Sequence, residues 1–338
     1  MRFARNPNGF FGVFENMYSF AVMNRFCVLI FLGMTWAAYG QSLTAGKKFF
    51  EERQYAEAKR QLAPLDEDHR DFAAAQYYLG RIAFNEEQYE EAVDYLEEAT
   101  EADDRHAEYF EWYGNALGNL AQKSNMVRQG MLAPRMKAAW EQAMQLDPKS
   151  IGPRTSLVEY YMQAPGFMGG SKEKAVATAR EIIGLNAAEG HRVLGSIYAR
   201  EKKVADAEKE YLEAARIDPQ YKTSLAGFYL GQQLYEKAFA LFDEALKKNP
   251  DDMLVVYQVG RTSAVSGQRL EQGEAALRKY LTHTPKANEP SLAGANMRLG
   301  QILEKKGNKA AAKKHYEVAV KLDATMKEAK EGLSRVSK

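Results

Sequence analysis

A small residue returns at a fixed interval along this chain. Gly46, Gly80 and Gly114 stand 34 residues apart. The short motif that ends in each of them recurs at Gly195, Gly260 and Gly300. A second pattern follows: Tyr89-Ala92-Leu96-Ala99, Val204-Ala207-Tyr211-Ala214, Tyr235-Ala238-Phe242-Ala245 and Lys309-Ala312-Tyr316-Ala319. Spacings of three and four place such residues on one face of a helix. Asp147-Pro148, Asp218-Pro219 and Asn249-Pro250 punctuate the units. Proline ends one helix and suits the first turn of the next. Each unit therefore reads as a helical hairpin. A single hairpin cannot bury its own apolar face, so the hairpins must stack.

This 34-residue pattern of small, aromatic and proline positions resembles the tetratricopeptide repeat family. The resemblance covers 41–324 as about eight units, near 40–70, 73–105, 107–148, 151–186, 188–219, 220–250, 253–286 and 293–324. Residues 325–338 read as a polar capping helix. The resemblance implies an all-α fold, a right-handed superhelical solenoid of stacked helix-turn-helix repeats. Three places depart from it. The third unit carries about ten extra residues near 119–134, without helical regularity. The fourth replaces the glycine with Val158 and contains a Pro-Gly and Gly-Gly-Ser loop over 163–172. Between Gly260 and Gly300 the interval widens to 40. The enlarged third unit beside that loop looks like a group of exported bacterial repeat proteins.

Residues 1–40 are of another kind. Arg25 precedes an almost wholly apolar run from Phe26 to Ala38, and Ala38-Tyr39-Gly40 offers small residues at a cleavage site. That order is the pattern of a secretory signal peptide. The run of 13 residues is shorter than the ~20 a membrane-spanning helix needs. A start at Met23 would give the leader a short basic end. Retention as an uncleaved anchor is the alternative. The expectation is export across the inner membrane to the periplasm, with no integral span after cleavage.

Composition excludes several kinds of chemistry. The 46 basic and 45 acidic residues leave a formal charge of +1, which gives no electrostatic footprint for nucleic acid. The one cysteine, Cys27, falls in the leader, so neither disulfides nor thiol catalysis is expected. The five histidines show no metal-ligand spacing. Gly166 to Lys172 superficially suggests a phosphate loop, but the order is Gly-Ser-Lys and no strand precedes it. Ser171 is better read as a helix cap with Glu173 in the first turn. No cofactor, metal or catalytic residue is assigned, and the chain is read as a non-enzymatic scaffold.

The resemblance implies that a partner protein or extended peptide binds in a concave groove lined by the first helix of each unit. The matching positions are Tyr77, Arg81 and Phe84; Glu111, Asn115 and Asn119; Arg192 and Arg200; Tyr257 and Arg261; and Gln301. Carboxamides can both donate to and accept from a peptide backbone, and arginine can grip a carboxylate. The family's lysine and asparagine clamp for chaperone tails is not reproduced. Two alternatives remain open. One is a subunit of an envelope assembly or secretion complex that docks through its loops or convex face. The other is an enzyme with a site at the loops of units three and four. Self-association is left open.

Overall fold

The computed structural model describes residues 43–286 and 289–338; the leader expected over 1–40 lies outside the described residues. The fold is all-α, with no strand among the described residues. It divides into two compact units at 175/176. The first holds α1 (43–51), α2 (Tyr55–Leu62), α3 (Phe72–Asn85), α4 (Tyr89–Ala102), α5 (Ala107–Gln122), α6 (Met126–Leu146) and α7 (Gly152–Gln163). The division falls within α8 (Lys172–Leu185). The second holds α9 (Ala187–Arg200), α10 (Val204–Ile217), α11 (Lys222–Gly231), α12 (Tyr235–Lys248), α13 (Met253–Ser266), α14 (Leu270–Tyr280), α15 (Leu292–Lys305), α16 (Lys309–Leu322) and α17 (Lys327–Val336).

Within each unit, consecutive helices pair as hairpins, and each hairpin packs on the next. The recurring glycine lies on the first helix and faces the large apolar residue of the second. A Cβ on Gly80 would stand 2.5 Å from Leu96 Cγ, and one on Gly260 would stand 2.3 Å from Leu277 Cγ. Leu96 and Leu277 are fully buried. The glycine is therefore the contact through which two helix backbones approach, and no larger residue fits without displacing a core side chain.

Two further devices repeat. In four hairpins the inner turn carries one residue in the left-handed region, Arg53, Glu87, Lys202 and Gln233, with φ near 60° (59–60°). Gly307 occupies the same place with φ 80°. The turn between hairpins is held by a carboxylate or amide side chain. Asp147 Oδ1 accepts from Lys149 N at 3.0 Å, Asp218 Oδ1 from Gln220 N at 3.0 Å, and Asp323 Oδ1 from Thr325 N at 2.8 Å. The Asp-Pro and Asn-Pro punctuation thus marks turns closed by the side chain on the backbone two residues on.

In the third hairpin the extra residues near 119–134 lengthen the helix pair. α5 runs to Gln122, and Met126 already begins the 21-residue α6. Asn125 caps it by accepting from Arg128 N at 3.0 Å. Pro134 is accommodated inside this helix. The extra residues extend a helix, which leaves Met126, Val127 and Met131 at 68–76% exposure. Salt bridges from Lys123 to Glu87 (3.0 Å) and from Arg128 to Glu90 (2.6 Å) tie its start to the second hairpin.

Gly260→Ala is expected to destabilise the chain by about 1–3 kcal/mol through overpacking against Leu277. Gly130→Ala, at a helical site with nothing within 4 Å of the added Cβ, is expected to stabilise by up to about 1 kcal/mol. Thermal or urea melts of both check the opposite signs.

Candidate partner-binding site

In the first unit, α5, α6, α7 and the loop after α7 enclose a cleft of about 590 Å³. Asn115 and Asn119 lie one turn apart on α5 and both line it. Their amide orientations are fixed by partners with a single role. Trp140 Nε1 can only donate, and it donates to Asn115 Oδ1 at 3.0 Å. Ser156 Oγ donates to the same oxygen at 3.1 Å. Asn119 Nδ2 donates to the Asn115 carbonyl at 3.0 Å. Asn115 is thus left with its Nδ2 hydrogens, and Asn119 with its Oδ1 lone pairs. A donor and an acceptor are thus offered by side chains one helical turn apart, a spacing of about 5–6 Å between Cβ atoms. An extended peptide repeats its backbone groups at ~6.6–6.8 Å per two residues.

The apolar wall of the cleft includes Met136 and Trp140 from α6, Tyr160 from α7 and Met168 from the loop. The loop is held by its own backbone. Gly170 N donates to Pro165 O at 3.1 Å and Ser171 N to Tyr161 O at 3.0 Å, while the Tyr160 hydroxyl donates to Met168 O. Gly169 takes φ +95°, and a Cβ on Gly170 would lie 1.7 Å from Ala164 O, so the glycines serve a tight turn. Lys174 N donates to Ser171 Oγ at 3.3 Å, which makes Ser171 the cap of α8. Phe167 at the tip is 83% exposed.

The other expected groove residues fall into three settings. Tyr77 and Tyr257 are packed rather than displayed, 7% and 8% exposed. Tyr77 stacks on Tyr109 at 4.8 Å between ring centres, and Tyr257 lies 5.1 Å from Tyr280. Tyr77 packs against the next hairpin and Tyr257 against the second helix of its own, so both rings present little surface. Arg81 is half-buried, with its guanidinium 4.6 Å from the Phe50 ring, 4.5 Å from the Trp112 ring, and Nη1 donating to Tyr77 Oη at 3.1 Å. Phe84 packs edge-on against Trp112 at 5.2 Å.

Arg192 is engaged by Glu189 through two bonds of 2.7 and 2.6 Å. Arg200 and Arg261 are exposed, and Gln301 accepts from Arg298 Nη1 at 3.0 Å. Glu111 is half-buried beneath α7, where a Cβ on Gly152 would collide with its Oε1. Burial pushes its carboxyl above the usual range, opposed by a hydrogen bond from Ser150. Trp140, Ser156, Met136 and Tyr160 were not among the expected site residues. Trp140 stands 26 residues after Gly114, where Leu96 stands 16 after Gly80; aligning the second helices would have placed it against the groove. Among the described residues no group of three or more His, Cys, Asp or Glu could hold a metal, and no helix is long and apolar enough to cross a membrane.

Paired helices, a glycine contact in the hairpins and a cleft lined by a first helix define an α-helical repeat protein. Family models described as tetratricopeptide repeat match residues 43–117 and 169–222, and a further one matches 293–326. The chain is a tetratricopeptide repeat protein, a class of protein-interaction scaffold. It is similar in fold to a tetratricopeptide repeat protein from Parabacteroides merdae, with 12% identity and a TM-score of 0.53 over 89% of this chain and all of that one. A tetratricopeptide repeat protein from Thermus thermophilus matches 54% of this chain and 94% of its own, with 20% identity and a TM-score of 0.41. No curated protein matches the sequence.

Asn115→Leu is expected to cost about 1–3 kcal/mol, because the buried Trp140 N–H loses its acceptor. Asn119→Ala should stay within about 0.5 kcal/mol, since its bond is to a carbonyl on its own helix. Glu111 supplies a pH test. Its folded pKa is raised, so its contribution to stability is full below the unfolded pKa of about 4.3 and is lost as pH rises through the folded value. Glu111→Gln should raise the melting midpoint at neutral pH and change it little at about pH 4.

Proposed function

We propose that this chain is a non-enzymatic adaptor of the bacterial cell envelope that binds an extended segment of a partner protein along its first-helix face. The observation that carries the reading is the Asn115 donor and Asn119 acceptor, oriented by Trp140 and Ser156, in the floor of a cleft with an apolar wall. Preset amides lose little freedom on binding and suit a peptide backbone of any sequence. Met136, Met168 and Tyr160 supply apolar surface that adapts to varied side chains. The signal-like segment ending at Gly40 supports the envelope location, which after cleavage would be the periplasm.

A second reading is favoured by exposed apolar groups: Met126, Val127 and Met131 on α6, and Phe167 on the loop. These would dock the chain onto an envelope assembly without using the cleft.

Affinity capture from envelope extract with the tagged full chain tests both. Asn119→Ala combined with Gln163→Ala, at a second polar residue of the cleft lining, should reduce partner capture at least ~10-fold, equivalent to about 1.4 kcal/mol, with an unchanged melt. Capture that survives this change but is lost with Met131→Ser and Phe167→Ser would support the second reading. N-terminal sequencing of the product should begin at Gln41; a product that retains residues 1–40 would overturn the periplasmic assignment.

A further inference from the structure

The sixth hairpin lacks a side chain where its neighbours present one. Gly227 follows Ala226 as Arg81 follows Gly80 and as Arg261 follows Gly260. A Cβ on Gly227 would meet nothing within 4 Å, and the same is true one turn on at Gly231. Beside this bare stretch lies a slot of about 540 Å³ between α11, α12 and α13. That size is within the ~300–1,000 Å³ of ligand pockets. Its apolar lining includes Leu230, Leu241, Phe242 and Leu254, and Leu254 is 46% exposed.

The charges around the slot are unequal. Lys222 and Lys248 both bind Glu244, at 2.7 and 3.0 Å, and together hold its carboxyl down to about 2. Asp252 Oδ1 accepts from Val255 N at 3.2 Å at the start of α13. Arg261 has no carboxylate within ion-pair distance among the described residues; its contact is Gln258 Oε1 at 3.4 Å. An apolar slot with one uncompensated guanidinium beside it complements an apolar body that carries a carboxylate.

We infer that this slot seats large apolar side chains of a bound peptide, with a neighbouring acidic group of that peptide against Arg261. The inference rests on the reading of the chain as a peptide-binding scaffold and gives the second unit a recognition element of its own. The acidic group then acts on specificity, because a neutral amide in its place leaves the guanidinium uncompensated.

Fluorescence anisotropy with the full chain and labelled ten-residue Gly/Ser peptides tests it. One peptide carries Leu-Phe-Asp at its centre, the second Ser-Ser-Asp and the third Leu-Phe-Asn. The first should bind at least about tenfold more tightly than the second. Gly227→Leu puts a side chain, and a better helix former, at the wall of the slot, so it should abolish that preference without lowering the melting midpoint. Arg261→Gln should bring the Asp peptide to the level of the Asn peptide and leave the latter unchanged. Equal affinity for all three, no binding by any, or a preference that survives Gly227→Leu overturns the inference. Asn119→Ala runs beside these variants. Binding lost there but indifferent to Gly227→Leu would sink the slot and keep the α5 cleft; the reverse would sink the cleft and keep the slot.

Discussion

Everything in this fold depends on how closely two helix backbones can approach at one glycine. At Gly46, Gly80 and Gly260 the second helix places a leucine where a Cβ would have to be, with 2.3–2.5 Å to the nearest atom. At Gly300 a tyrosine fills that role, and Tyr316 also covers Gly332 on α17. Burying a large apolar side chain contributes about 1.5–3 kcal/mol, and the close approach lets one residue per hairpin reach that value. A hairpin closed in this way still exposes its outer faces, which become the contacts to the next hairpin. Repetition of one contact is therefore enough to specify the core of each unit.

That contact is also why so much of the architecture was legible. Glycine at a fixed interval, with alanine and a large apolar residue at helical spacing after it, is written directly in the residues that touch. The family and the all-α class follow from it. The turns were harder to read. Left-handed backbone at Arg53, Glu87, Lys202 and Gln233 is carried by residues with no preference for it. The packed hairpin imposes the conformation there, whereas Gly267 and Gly307 announce it. The third hairpin was hard to read for a similar reason. Met126 to Leu132 shows little amphipathic period because its outer face packs on nothing, so burial never selected a pattern there. The burial of Tyr77 and Tyr257 was not legible, because position within a repeat fixes a direction but not a depth, and long rings fold onto neighbouring helices.

The cleft shows how variation of the shared contact builds a site. In the third hairpin the residue against the glycine is Trp140, and a Cβ on Gly114 would lie 2.5 Å from its Nε1. An indole brings what leucine cannot, a buried N–H that must find an acceptor. Asn115, the next residue on α5, supplies it. The interaction that closes the hairpin thereby orients the amide at the surface, and Ser156 on α7 holds the same oxygen from the other side. Stability and recognition share one atom here, so truncation of Asn115 would report on both at once. Asn119 and Gln163 separate them.

The sixth hairpin makes the opposite change. Alanine takes the closing position at Ala226, and Phe242 fills the space opposite it at 6% exposure. The hairpin remains closed, but the following residue is Gly227 and nothing projects from α11 at that level. A glycine inside a helix costs roughly 0.5–1 kcal/mol relative to alanine, and here no close contact or left-handed backbone requires it. The same is true of Gly231. Two helical glycines that no internal contact demands, beside an apolar slot and an arginine with no facing carboxylate, are a local loss of stability that packing alone does not explain. Space for an outside group would explain it, since any side chain at 227 would occupy the ground that group needs.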